Sequence, residues 1–277
     1  MIDHPSNTGE SPEVDLGYRL AAQGRRDVEE KRLGLLEQLF DPDSRQRRDL
    51  VRPGWRCLEV GAGRGSLAVW LAEKVGASGQ VVATDVDTTY LERLNVPNLE
   101  VRRHNILDDS LESLGRGSFD LVSSRLMLFW LAGRQETAIR RMVECLRPGG
   151  WLVDEDGDWG MVGPVDPTHR HYGDAFNEWW SSRGYDPTFG RKLPALFERC
   201  GLQNIRHEAS AQVVRGGSPW ACWWKQTLEG IRANEDAAGS LTRAREQEYQ
   251  QLMAPFTDTS VWLLSELLHA CWGQRLQ

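Results

Sequence analysis

The run Leu58-Glu59-Val60-Gly61-Ala62-Gly63-Arg64-Gly65 constrains this chain more than any other. A short apolar stretch from Arg56 leads into it, and a helical pattern from Ser66 to Val75, stopped by Gly76, leads out. Glycines at such a turn permit positive φ and let the backbone approach a ligand, while the helix start offers free N–H groups. A nicotinamide or flavin fingerprint would need a further glycine at position 66, where the chain has Ser66. No Gly-Lys-Ser/Thr follows, so a Walker loop is excluded. Glu59, just before the turn, suits a cationic ligand better than a pyrophosphate. Asp85 ends the next apolar run, about 20 residues beyond the turn, where an acid can accept hydrogen bonds from ribose hydroxyls.

Strand and helix patterns alternate from there. Strands are expected at 56–60, 80–85, 99–103, 119–124 and 151–155, with helices at 66–75, 88–94 and 134–146 between them. Arg147-Pro148-Gly149-Gly150 is the expected helix stop. Further helices are expected at 193–200, 220–233 and 240–252, and strands at 204–214 and 267–272. This predicts an α/β fold: a doubly wound, Rossmann-like, mostly parallel seven-stranded sheet with N-terminal entrance helices and a helical cap insertion. The expected organisation is a disordered leader at 1–14, a helical lid at 15–50, a cofactor-binding core at 51–157, a cap at 158–191, and the remainder of the core at 192–277. Within the lid, Gly24 is the expected break and Asp41-Pro42-Asp43 the expected end of a helix.

These motifs resemble those of the class I S-adenosylmethionine-dependent methyltransferases, and in character the bacterial natural-product members. The resemblance rests on the glycine turn, on Val82-Ala83-Thr84-Asp85, on Phe119-Asp120-Leu121-Val122 and on Leu146-Arg147-Pro148-Gly149-Gly150-Trp151-Leu152. It implies S-adenosylmethionine as cofactor, with Glu59, Gly61 and Gly63 at its methionine moiety and Asp85 on its ribose. It also places Asn105 and Ile106 at the adenine, although most members carry Asp where Asn105 stands. Ser124 and Arg125 fall where the family lines the sulfonium pocket, and Phe129 stands where relatives often have His. Tyr18, with Glu29, Arg32 and Leu33 downstream, matches an entrance helix whose tyrosine closes over the cofactor.

Methyl transfer from a sulfonium is an in-line displacement that asks mainly for positioning and exclusion of water. A base is needed only for a protonated acceptor. Candidates are Asp156, in the acidic run Asp154-Glu155-Asp156-Gly157-Asp158 expected at the rim of the site, and His171 in the cap. The same acidic run also reads as a solvated loop. No metal is expected, since neither that run nor His169-x-His171 has completing ligands.

Of twelve tryptophans, nine lie beyond residue 150, where the acceptor would bind. Trp159, Trp179 and Trp180 are the candidates to stack on a flat acceptor, and adjacent helical residues diverge enough that one of the last pair should face the cleft. The expected function is methyl transfer to a small, aromatic, indole-type acceptor. The alternatives are a non-methylating use of the same cofactor, such as cyclisation, and a scaffold with a vestigial site. A net charge of −7 argues against nucleic acid as partner. Arg45, Arg47 and Arg48 are then expected on a solvated face. No apolar run is long enough to span a membrane, and five widely spaced cysteines fit reduced thiols in the cytoplasm.

Overall fold

The computed structural model describes residues 26–166, 169 and 171–277. Tyr18, the leader and the break at Gly24 lie outside them. Five strands run parallel: β1 (Arg56–Val60), β2 (Gln80–Asp85), β3 (Leu99–Arg103), β4 (Phe119–Arg125) and β5 (Leu146–Asp158). Helices α2 (Ser66–Val75) and α3 (Gln135–Cys145) supply crossovers between them. Two later strands, β7 (Gln203–Ser210) and β10 (Leu267–Gln274), extend the sheet antiparallel, giving the order β3-β2-β1-β4-β5-β10-β7. This is the seven-stranded, mostly parallel sheet expected. The apolar residues of β1, β2 and β4 are fully or nearly fully buried, as strands covered on both faces must be. Strand order reverses between β1 and β4, so a crevice opens beyond their carboxyl ends.

Helices α4 (His171–Ser181), α5 (Leu193–Arg199), α6 (Pro219–Ala237) and α7 (Arg243–Thr257) complete the covering layers. The single strand expected at 204–214 is two strands. The chain leaves the main sheet after Ser210, is pinned where Gln212 exchanges bonds with Ser265, and continues as β8 (Val213–Arg215). There β8 joins β6 (Gly163–Pro164) and β9 (Trp262–Leu264) in a small second sheet. α3 ends at Cys145, next to the expected stop, and Arg147–Gly150 form a bulge inside β5, opposite the β4 segment between Phe119 and Leu121. The helix expected at 88–94 is reduced to a 3-10 turn, Leu91–Arg93.

Two expectations fail at the same place. α1 (Arg26–Arg47) runs straight through Pro42 rather than ending before it. A proline inside a helix costs about 3 kcal/mol, and four tertiary ties around it offset that cost. Phe40 packs edge-on against Trp223, Asp41 pairs with Arg125 at 2.8 Å and accepts from Ser66 at 3.0 Å, and Ser44 donates to Glu155 at 3.0 Å. Arg45 is exposed as expected, but the two arginines that follow it are not on a solvated face. The Arg47 and Arg48 side chains are buried against Glu155, itself wholly buried on β5. Arg47 also bonds Glu208 of β7, and the Trp272 indole of β10 donates to the Arg47 carbonyl. Burial pushes the Glu155 carboxyl up, but Arg48, Arg125 and Arg47 outweigh it and hold it below the ordinary glutamate range.

Removing one member of a buried ionic cluster leaves the others uncompensated. Glu155→Ala should therefore cost about 3–5 kcal/mol in urea unfolding. Because the folded value is depressed, the wild-type stabilisation is present above the ordinary glutamate range and is lost as pH falls through the folded one. Acid titration of Glu155→Gln should accordingly show a shallower loss of stability at low pH than the wild type.

Candidate active site

The glycine turn leaves β1 with Gly61, Gly63 and Gly65 all at positive φ (71°, 58° and 86°). The Gly61 and Ala62 N–H groups both donate to the Thr84 carbonyl at 2.9 Å, which folds the turn over the end of β2. A Cβ at Gly61 would lie 2.6 Å from Met127, so the glycine is needed for space as well as for φ. Asp85 closes the turn by accepting from the Gly63 N–H at 2.9 Å and the Asp87 N–H at 3.1 Å. Burial raises the Asp85 carboxyl above its ordinary value, and those backbone bonds oppose the shift. Glu59 is almost fully buried, and its Oε2 has no hydrogen-bond partner. Burial pushes this carboxyl up to about 7, with Arg125 and Arg48 opposing. A buried acceptor without a donor at the mouth of such a turn is a group waiting for a cation or an N–H.

Glu59, Asp85 and the turn line one cavity, whose near wall is a face of α1 carrying Arg32, Leu33, Leu36 and Glu37. Their three- and four-residue spacings place them on one stripe, which is why one helix supplies so much of the wall. The charged lining is largely paired. Arg32 holds Glu29 at 2.6 Å, Arg125 holds Asp41, and Arg64 stands 3.7 Å from Glu37. Glu37 is raised by burial, against the nearby Arg64.

The far half of the cavity is aromatic. Phe129 and Trp130 come from the 3-10 turn after β4, Trp159 from just beyond β5, Trp180 from α4, and Trp223 and Trp224 from α6. Phe129 meets Trp130, Trp159 and Trp180 at 80–85°, and Trp159 meets Trp224 at 83°. Edge-to-face packing of this kind adds about 0.5–1.5 kcal/mol per pair beyond burial. The indole N–H groups of Trp159, Trp180 and Trp223 are buried without an acceptor. Leu126, between the two halves, adopts φ 51°, a strained value for a branched residue.

Several expected residues stand elsewhere. Asp154, Glu155, Asp156 and Asp158 are not at a loop; they belong to β5 and are completely buried. β10 pairs along the edge of β5 from Trp151 to Asp158, and each of these acids has found a partner on another element. Asp154 accepts from Ser124, and Asp156 accepts from the Phe129 and Gly157 N–H groups, both at 2.9 Å. Asp158 pairs with Arg191. Asp156 thus lies behind Phe129 and does not line the cavity, and His171 is exposed at the start of α4. Neither is placed to take a proton from a bound acceptor. Ser124 is likewise behind the wall, while Arg125 lines it. The Asn105 amide is engaged within its own turn, bonding Asp108 and the Leu107 N–H, and Ile106 is core. Neither lines the cavity. Trp159 and Trp180 do, whereas Trp179 points away to stack near Phe176 and Arg183. Among the described residues, no cluster of three or more His, Cys, Asp or Glu is arranged to hold a metal.

Sequence reasoning missed Glu37, Tyr90, Trp223 and Trp224 as lining residues. Trp220, Trp223, Trp224 and Thr227 do follow a helical stripe in the sequence, but nothing local distinguishes such a stripe from ordinary core.

Residues 58–154, which run from the glycine turn to the buried acids, match the family profile described as a methyltransferase domain. These residues carry a methyltransferase domain. Methyltransferase str2 of Strobilurus tenacellus is 32% identical over 111 residues, 40% of this chain and 38% of that protein. Nocamycin O-methyltransferase of Saccharothrix syringae is 31% identical over 139 residues, covering 47% of this chain and 46% of its own length. The chain thus spans less than half the length of either relative. Phosphoethanolamine N-methyltransferase 2 of Haemonchus contortus, solved in complex with S-adenosyl-L-methionine, shares the fold over 90% of this chain and 53% of that one. Its TM-score is 0.51 at 16% identity.

The buried acids of β5 generate a pH signature. Burial lifts Asp156 to about 7 despite its backbone bonds, so its ionised form is disfavoured in the folded state. Stability should then decline as pH rises from the ordinary aspartate range to about 7, and Asp156→Asn should flatten that decline in melting curves. Trp179→Ala should separate packing from lining: a stability loss of about 3–5 kcal/mol, with ligand binding by the folded fraction unchanged.

Proposed function

We propose that the protein transfers a methyl group from S-adenosylmethionine to a small, flat acceptor held among the tryptophans. The observation that carries this is a single cavity joining two unlike halves: the glycine turn with Glu59 and Asp85, and an aromatic chamber. The residues fit the cofactor. Gly61 and Gly63 leave a cradle that a side chain would fill, the unpartnered Glu59 oxygen suits an ammonium, and Asp85 retains lone pairs for ribose hydroxyls. When bound, S-adenosylmethionine supplies an electrophilic methyl on a positively charged sulfur. The chain's own part is to bind and align. The turn and Asp85 fix the cofactor end, α1 closes one side, and the tryptophans hold the acceptor in line and exclude water. We read residues 158–191 as the cap that completes this chamber. The natural-product relatives support a small-molecule acceptor.

Calorimetry with S-adenosylmethionine, followed by detection of S-adenosylhomocysteine with candidate acceptors, tests the reading. Asp85→Ala should weaken cofactor binding by about 1.5–3 kcal/mol, and unchanged affinity would overturn the assignment. Glu59 adds a pH dependence. Because its carboxyl titrates near 7 in the free protein and a cation favours its ionised form, affinity should rise from pH 6 to 8 and then level. In Glu59→Gln that rise should disappear.

A further inference from the structure

We infer that the acceptor is a neutral nitrogen base without a proton to lose, a tertiary or heteroaromatic amine, and that the aromatic chamber is built for the cation it becomes. This rests on the methyltransferase reading above. Among the described residues, the chamber's walls are Phe129, Trp130, Trp159, Trp180, Trp223 and Trp224, and no carboxylate, imidazole, thiol or amine lines that half. The titratable lining belongs to α1 and to the loops after β1, β2 and β4, where Glu37, Glu59 and Asp85 gather about the glycine turn. Asp156 is screened behind Phe129, and the Thr227 hydroxyl is engaged with the Trp223 carbonyl. A phenol or a protonated amine would have to give up a proton with no group at hand to receive it.

A neutral nitrogen needs none. Its lone pair forms the new N–C bond, the S–C bond breaks with its electron pair returning to sulfur, and the positive charge passes from sulfonium to ammonium with no proton released. Charge is conserved, and it ends inside a box of six aromatic rings. Trp is the strongest side-chain partner for such an ion, and desolvation strengthens the attraction. Rings meeting at nearly right angles, as Phe129 does with three of its neighbours, form the walls of a cage rather than a single stacking slot. With Glu29, Glu37, Glu59, Asp85 and Asp87 against Arg32, Arg64 and Arg125, the cavity as a whole also carries more negative than positive lining.

The decisive measurement uses two probes of one shape, N,N,N-trimethylanilinium and its uncharged counterpart tert-butylbenzene, followed by tryptophan fluorescence in the full chain. The cation should bind about tenfold tighter or better, as a desolvated cation–π contact predicts. Trp159→Phe and Trp223→Phe, mild enough to preserve the fold, should each reduce that preference. In turnover, N,N-dimethylaniline should yield S-adenosylhomocysteine and the quaternary product, while phenol of matching size should not. Equal binding of the two probes, or preferential methylation of the phenol, would overturn the inference. The outcomes separate from those of the broader reading. Cofactor binding with phenol turnover defeats the amine assignment alone, whereas failure to bind S-adenosylmethionine defeats the methyltransferase reading and leaves the probe comparison to decide the cage.

Discussion

Glu155 is a carboxylate sealed in the middle of the molecule, and two distant parts of the chain meet on it. Arg47 and Arg48 approach from the end of α1, Ser44 from one turn earlier, and β5 carries the acid itself. Such a cluster does not add stability cheaply, because taking three charges out of water costs several kcal/mol for each ion. What it adds is a single docking position. α1 has weak amphipathic patterning and an internal proline, so burial alone would fix its angle poorly. With Arg47 also bound to Glu208 and its carbonyl to Trp272, the helix is registered against β5, β7 and β10 together. Since α1 forms the near wall of the cavity, the shape of the binding site is set by an ionic contact on the far side of the helix's last turns.

The aromatic half depends on a different economy. Phe129, Trp159, Trp180, Trp223 and Trp224 belong to the main apolar core and also line the cavity, so the chamber is the open end of that core. Its walls are rigid for the same reason the interior is: each ring is held by perpendicular neighbours. A ligand entering it meets a surface whose reorganisation is already complete, which is the condition for using binding energy on alignment. Leu126, held at positive φ at the junction of the two halves, is the local cost of turning the chain sharply enough to join them.

Much of the cofactor end was legible in the sequence because its physics is local. A strand, a glycine turn and a helix start are adjacent residues, and β1, α2, β2 and β3 begin and end where the pattern says. The acidic run of β5 was not, because four carboxylates in five residues read as solvated unless their partners are known. Those partners are Ser44, Arg47, Arg48, Ser124 and Arg191, none of them near in sequence. α1 was cut short at Pro42 for the same reason: propensity is local, and the ties that override it are not. Asn105 shows the converse, a local bond that the pattern does not reveal. An alignment-like position suggested a ligand contact, while the amide is consumed by its own turn.

The placement of β10 bears on how the protein reaches this state. β10 lies between β5 and β7, although β7 precedes it in the chain by two helices and a second sheet. β7 therefore has no partner in the main sheet until the later strand has arrived, and one hydrogen-bonding edge of β5 stays open until then. The parallel strands and their crossovers can form early from near neighbours, whereas the antiparallel wing must assemble from its innermost strand outward and from the most distant sequence. Asp154, Asp156 and Asp158 take their partners from β4, from the turn after it and from Arg191, so their native surroundings also need contacts that are distant in sequence. The far wing of the sheet is thus a one-strand bridge: β7 holds its place in the main sheet through β10 alone.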